Sequence, residues 1–154
     1  MRHFVIRAAA TALTLATLAV PALAGPAKNL VDGVALHGFD PVAYFVDHKP
    51  TKGDPSIAST YDGATYEFAS KEHKALFDAA PAKYVPVYGG YCAFAVTEGI
   101  KADIDPYAYA INDGKLYVNF SVEARDAFQA HVADNSHKAE ANWPTVKTLD
   151  KVYR

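Results

Sequence analysis

Residues 59–68 read Ser59-Thr60-Tyr61-Asp62-Gly63-Ala64-Thr65-Tyr66-Glu67-Phe68, and residues 107–120 read Tyr107-Ala108-Tyr109-Ala110-Ile111-Asn112-Asp113-Gly114-Lys115-Leu116-Tyr117-Val118-Asn119-Phe120. Each stretch sets an Asp-Gly pair between two runs of alternating residues. Glycine takes the positive φ of a two-residue turn without steric cost, so each stretch predicts an antiparallel β-hairpin. Tyr66 and Phe68 alternate with Thr65 and Glu67, which gives the first hairpin one apolar face. A serine follows each hairpin, Ser70 with Glu72 close behind and Ser121 with Glu123. Serine accepts hydrogen bonds from the free N–H groups of a helix start, and the helix dipole favours a carboxylate in the first turn. The first helix is expected to run to about Ala80 with Ala75, Leu76 and Ala79 inward, and Pro81 stops or restarts it. On the second, Ala124, Ala127, Phe128, His131 and Val132 share one side at helical spacing. Two antiparallel hairpins, each followed by a helix around an aromatic core, form an α+β pattern, because the strands come in pairs rather than alternating singly with helices.

The remaining chain is read around this frame. Residues 25–35 read as a loose lead-in. Asp40 precedes Pro41, so it is biased to an extended backbone and can cap a short helix with proline at its first position. Lys49–Pro55 is polar, carries Gly53 and two prolines, and reads as a loop. Tyr84–Tyr91 is broken by Pro86, Gly89 and Gly90 and reads as a packed irregular segment. Cys92–Val96 is continuously apolar, which periodicity alone assigns to neither helix nor strand; a helix entered through Gly89-Gly90 and ending near Gly99 is the preferred reading. The polar tail is expected to be helical to Ala141, with Trp143-Pro144 either docked or free. No internal repeat stands out.

Met1–Ala24 opens with Arg2, His3 and Arg7, continues through an apolar stretch without acidic residues, and ends Ala22-Leu23-Ala24, the small-x-small pattern of a secretory cleavage site. The apolar part is too short and too rich in Ala and Thr for a membrane span. The expectation is a signal peptide over 1–24 and one domain over 25–154, located in a bacterial periplasm or secreted, with no membrane insertion after cleavage. The chain holds 15 basic and 17 acidic residues; Arg2 and Arg7 are the only charged residues of the first 24, so the mature part keeps 13 against 17. A mildly acidic chain lacks the clustered Lys and Arg that nucleic acid requires. The oligomeric state is not readable. Cys92 is the only cysteine, so no intrachain disulfide forms and the fold must stand on packing.

Several strings carry a family resemblance: Tyr61-Asp62-Gly63-Ala64-Thr65-Tyr66-Glu67-Phe68-Ala69-Ser70, then Phe77, Pro81, Lys83-Tyr84, and Tyr88-Gly89-Gly90-Tyr91-Cys92-Ala93. They resemble the YHS domain family. His37-Gly38-Phe39-Asp40-Pro41-Val42-Ala43-Tyr44-Phe45 is similar to the opening of its secreted bacterial members, and Asp113–Phe120 and Ala141–Pro144 are similar to their C-terminal half. The likeness covers residues 36–146. It implies a small α+β module that holds a transition metal. The sequence departs from the metal-linked members, which carry Asp-Pro-Val-Cys-Gly-Met and Phe-Cys-x-x-x-Cys. Here Val42 is followed by Ala43, Phe68 by Ala69, and the second cysteine position falls on His73.

Cys92 with His37 and His73 is therefore the candidate ligand set. Cysteine with two histidines and a weak axial group suits copper; cysteine, histidine and carboxylate suit zinc. In the first turn of a helix behind two glycines, the Cys92 thiolate would be favoured and closely approachable. The opposing reading is that a lone cysteine in an apolar run is a small core hydrophobe. In that case the protein is an interaction or small-molecule-binding module, with Tyr88 and Tyr91 lining an aromatic site. The sequence has no Gly-x-Ser-x-Gly and no P-loop, and Ser70 and Ser121 read as caps, so an enzyme is the less favoured reading.

Overall fold

The structure, a computed structural model, describes residues 26–154; the expected signal segment lies outside them. The chain runs β1 (Leu30–Val31), β2 (Val34–Ala35), α1 (Ala43–Val46), β3 (Asp54–Tyr61), β4 (Ala64–Phe68), α2 (Lys71–Ala79), α3 (Pro81–Tyr84), α4 (Ala93–Thr97), β5 (Lys101–Ala102), β6 (Asp105–Asn112), β7 (Lys115–Asn119), α5 (Val122–Ala130), α6 (Val132–Val146) and β8 (Val152–Tyr153). Helices and antiparallel hairpins mix as an α+β fold. Both Asp-Gly turns form, with Asp62 and Asp113 at φ 47° and 49°. Strands β1-β2-β4-β3 make one sheet, in which β2 joins β4 in parallel; β6-β7 make a second, and β5-β8 a short parallel pair.

The second hairpin and helix repeat the first, shifted by 51 positions (Asp105 against Asp54). Strand Asp54–Tyr61 becomes Asp105–Asn112, and both strands carry a register shift four residues in, at Ala58 and at Tyr109. Asp54 accepts from the Ser56 N–H at 2.8 Å and Asp105 from the Tyr107 N–H at 2.9 Å. Ser70 caps α2 through the His73 N–H and Ser121 caps α5 through the Ala124 N–H. Phe77 and Phe128 are the fully buried anchors of the two helices. The expectation that no repeat stands out is thereby corrected: the two units share turn, cap and anchor chemistry but few other residue types.

Other expectations also change. The lead-in is a tight β1–β2 hairpin turned at Asp32-Gly33, seated against β4. In α2, Leu76 is exposed and Ala75 and Ala79 are too; the inward side holds Phe77 and half-buried His73, one helical turn apart. The long C-terminal helix breaks at exposed His131 (φ −141°, ψ 54°) and then runs to Val146, beyond Ala141. Its Trp143 docks, with ring centroids 5.8 Å from Tyr88 and 6.4 Å from Tyr91. Lys101 is fully buried, and its ammonium donates to the carbonyls of Pro26, Lys147 and Leu149 at 2.7, 2.8 and 2.7 Å. All three of its protons are thus used to tie the start of the described chain to the end of α6.

Candidate functional site

Cys92 sits one residue earlier than expected. The helix begins at Ala93, and Cys92 is its N-cap, with Sγ accepting from the Ala95 N–H at 3.4 Å. Only 2 % of it is exposed, inside a cluster with Leu36, Tyr44, Ile104, Leu116 and Val118. Among the described residues, its side-chain hydrogen-bond partner is Asn119, whose Oδ1 lies 3.9 Å away. Burial pushes the thiol above its ordinary value, against a smaller opposing effect of the N–H groups of Ala95, Phe120 and Phe94. A buried thiol that stays protonated is neither nucleophile nor ready ligand.

The two glycines do admit a close neighbour, and that neighbour is the chain itself. A Cβ on Gly89 would run into the Ala27 carbonyl, and the Asn29 N–H donates to Gly89 O at 2.9 Å. The Tyr91 hydroxyl lies 2.9 Å from Pro26 O and 3.1 Å from Lys28 O, and the Tyr88 hydroxyl 3.4 Å from Ser136 O. Tyr88 and Tyr91 therefore anchor the strap formed by residues 26–29 and helix α6 rather than line a site.

Each candidate histidine is paired with a carboxylate. His37 places Nε2 2.8 Å from Asp103 Oδ1, which also accepts from Asn29 Nδ2 at 2.8 Å and the Ile104 N–H at 2.9 Å. Burial pushes the Asp103 carboxyl up, but these hydrogen bonds outweigh it and hold the group below the usual carboxylate range. His73 places Nδ1 2.7 Å from Oδ2 of Asp40, which is fully buried. Asp40 also accepts from the N–H groups of Val42, Ala43 and Ala69 at 2.8, 3.3 and 2.8 Å. A carboxylate with so many donors acts as acceptor, so Nδ1 donates to Asp40, and Nε2 lies 3.8 Å from Asp47 Oδ2.

Cys92, His37 and His73 are therefore not brought to one place, and among the described residues no group of three or more His, Cys, Asp or Glu is arranged to hold a metal ion. A thiolate metal centre does not fit these residues. What the sequence reading missed is the partner set: Asp40 was legible as a cap but not as the carboxylate behind His73. It also missed two hollows. One, of about 270 Å³, lies between Tyr61, Tyr66, Pro86 and Trp143, with Lys28 and Lys147 at its rim. The other, of about 500 Å³, lies beside His37.

Residues 42–88 match the family model of the YHS domain. Over that segment the chain is similar to the YHS domain. No curated protein and no solved structure matches it. The matched segment runs from Val42 through the first hairpin and α2 to Tyr88, so the YHS match contains His73 and stops short of Cys92.

Proposed function

We propose that this protein is a binding module for a small aromatic anion, held between Tyr61, Tyr66 and Trp143, with Cys92 as a core residue. The observation that carries the reading is the Tyr66 hydroxyl. Tyr66 is 3 % exposed, lines the smaller hollow, and has no hydrogen-bond partner among the described residues. Burial, aided by Asp62 and Tyr61, pushes its hydroxyl up to about 12, so it is a donor at neutral pH. The hydroxyl is not one of the atoms buried without a partner; it belongs to the lining of the hollow, where it can donate to a ligand oxygen. Lys28 is already paired with Asp62, which leaves the Lys147 ammonium to attract the anion, while the rings supply stacking faces. Trp143 is the only tryptophan, so its fluorescence reports the hollow directly. Titration with benzoate should change that emission saturably, and Tyr66→Phe should weaken binding about three- to tenfold, the worth of one hydrogen bond. No change with benzoate, or an identical titration of Tyr66→Phe, contradicts the reading.

A second reading keeps the metal ion and moves it. His73 Nε2, oriented by Asp40 and facing Asp47, has the carboxylate-backed arrangement of a metal-ligating imidazole. Copper or zinc binding that Cys92→Ser leaves unchanged and His73→Gln abolishes would favour it. As to location, we place the protein in the periplasm or outside the cell, as one domain over residues 25–154. The support is the Met1–Ala24 pattern and the fastening of Pro26 just beyond it. Mass spectrometry of the exported protein should give a chain starting at Gly25; a chain retaining Met1 contradicts this.

A further inference from the structure

The first hairpin departs from its copy at one buried position. Glu67 in β4 stands where β7 places Val118, a fully buried core residue. Glu67 is only 8 % exposed, and its carboxylate has no hydrogen bond or ion pair among the described residues. A strand geometry that buries valine has no packing use for a carboxylate, and the Glu67 oxygens are not among the atoms buried without a partner, so the group faces the hollow rather than hydrocarbon. The group lines the hollow of about 500 Å³ beside His37. Lys52 lines the same hollow, its ammonium held by the carbonyl of His37. The two charges converge over Gly38: a Cβ there would meet Glu67 Oε2 at 2.6 Å and Lys52 Nζ at 3.0 Å. The missing side chain of Gly38 keeps the space between them open.

The other lining groups narrow the occupant. Asp32 adds a second carboxylate, while the His37 ring is already paired with Asp103. Two carboxylates against one ammonium favour an incoming cation. Lys52 offers a place for an anionic group on the same molecule. Val31, 44 % exposed, and Pro55 form an apolar lip. We propose that this hollow binds a free aliphatic amino acid, its ammonium on Glu67, its carboxylate on Lys52 and its alkyl chain against Val31 and Pro55. The site is separate from the hollow at Tyr66 and does not depend on it.

The test is a titration of the full protein with L-leucine followed by amide NMR shifts. Saturable shifts should gather at residues 31–38, 52–55 and 67. N-acetyl-leucine, which lacks the ammonium, should produce none. Glu67→Gln should lower affinity by at least about tenfold, the scale of a charge-assisted hydrogen bond, and Lys52→Met by a similar factor. The Lys52→Met variant carries the test alone if Glu67→Gln does not fold. Absence of saturable shifts with L-leucine, equal binding of N-acetyl-leucine, or unchanged affinity in the folded variants overturns the proposal.

Discussion

Between the β3–β4–α2 unit and the β6–β7–α5 unit the backbone repeats down to the register shift in the outer strand, while the side chains at three matched places do not. In the first unit Asp40 caps the turn into α1 through the Ala43 N–H at 3.3 Å and reaches the Ala69 N–H at 2.8 Å. In the second, Cys92 caps α4 through the Ala95 N–H at 3.4 Å, and the Phe120 N–H favours its thiolate. Both follow a run of three positive-φ residues, Leu36-His37-Gly38 and Tyr88-Gly89-Gly90. Cys92 is thus the apolar counterpart of Asp40. His73, which completes the Asp40 pair, corresponds to Ala124, and Glu67 corresponds to Val118. At these three places the first unit buries polar or charged groups and the second a thiol or hydrocarbon, whereas at the place of Phe68 the second buries Asn119. A thiol that looks chemical in the sequence is structural because it stands at one of these three places.

The largest expected effect tests whether the frames are equivalent. Phe77→Ala and Phe128→Ala remove the fully buried anchors of the two helices, and each should cost about 3–5 kcal/mol in urea unfolding. A near-neutral result for one of them breaks the equivalence. Next comes the pair of caps. Asp40→Ala orphans three N–H groups and His73, a loss of about 3 kcal/mol or more. Cys92→Ala removes only a small buried group and should cost roughly 1–2 kcal/mol. Because burial raises the Cys92 thiol, iodoacetamide should label it only on unfolding at neutral pH. Rapid labelling of the native protein would restore Cys92 as a chemical group.

The frame was legible because its signals are local. Asp62-Gly63, Asp113-Gly114, Ser70 and Ser121 each dictate their own few residues of backbone. Asp40 was read as a cap on the same basis. The inward side of α2 was misread, since Ala75 and Leu76 are apolar but the helix turns Phe77 and His73 to the core. The site was less legible still. The pairs His73–Asp40 and His37–Asp103 span 33 and 66 residues of chain, distances over which residue type carries no geometric information. Glu67 read as the polar side of an alternating strand, whereas β4 and β7 are buried along most of their length. Gly89-Gly90 was correctly read as permitting close approach, but the approaching group is the chain's own Ala27.

Smaller effects sharpen the comparison. Ser70→Ala and Ser121→Ala each remove one cap bond and should cost about 1 kcal/mol alike. Asp103 follows β5 and corresponds to Lys52 of the first unit, where the Asp40 N–H to Thr51 O bond matches that from the Cys92 N–H to Ala102 O. Its carboxyl is held below the ordinary value, so its contribution is present above the unfolded carboxylate range near pH ~4 and fades as pH falls through the lower folded value. Asp103→Asn should flatten that acid limb of stability by a modest amount, and an unchanged limb would remove Asp103 from the account.

The most direct test of the difference at these matched places is urea unfolding of Glu67→Val, which gives the first hairpin the residue type of the second. If Glu67 is a charge kept facing the hollow for a ligand, the midpoint should rise at unchanged slope, with a gain of about 1–3 kcal/mol. A lower midpoint would show Glu67 to be part of the packing and would contradict the account.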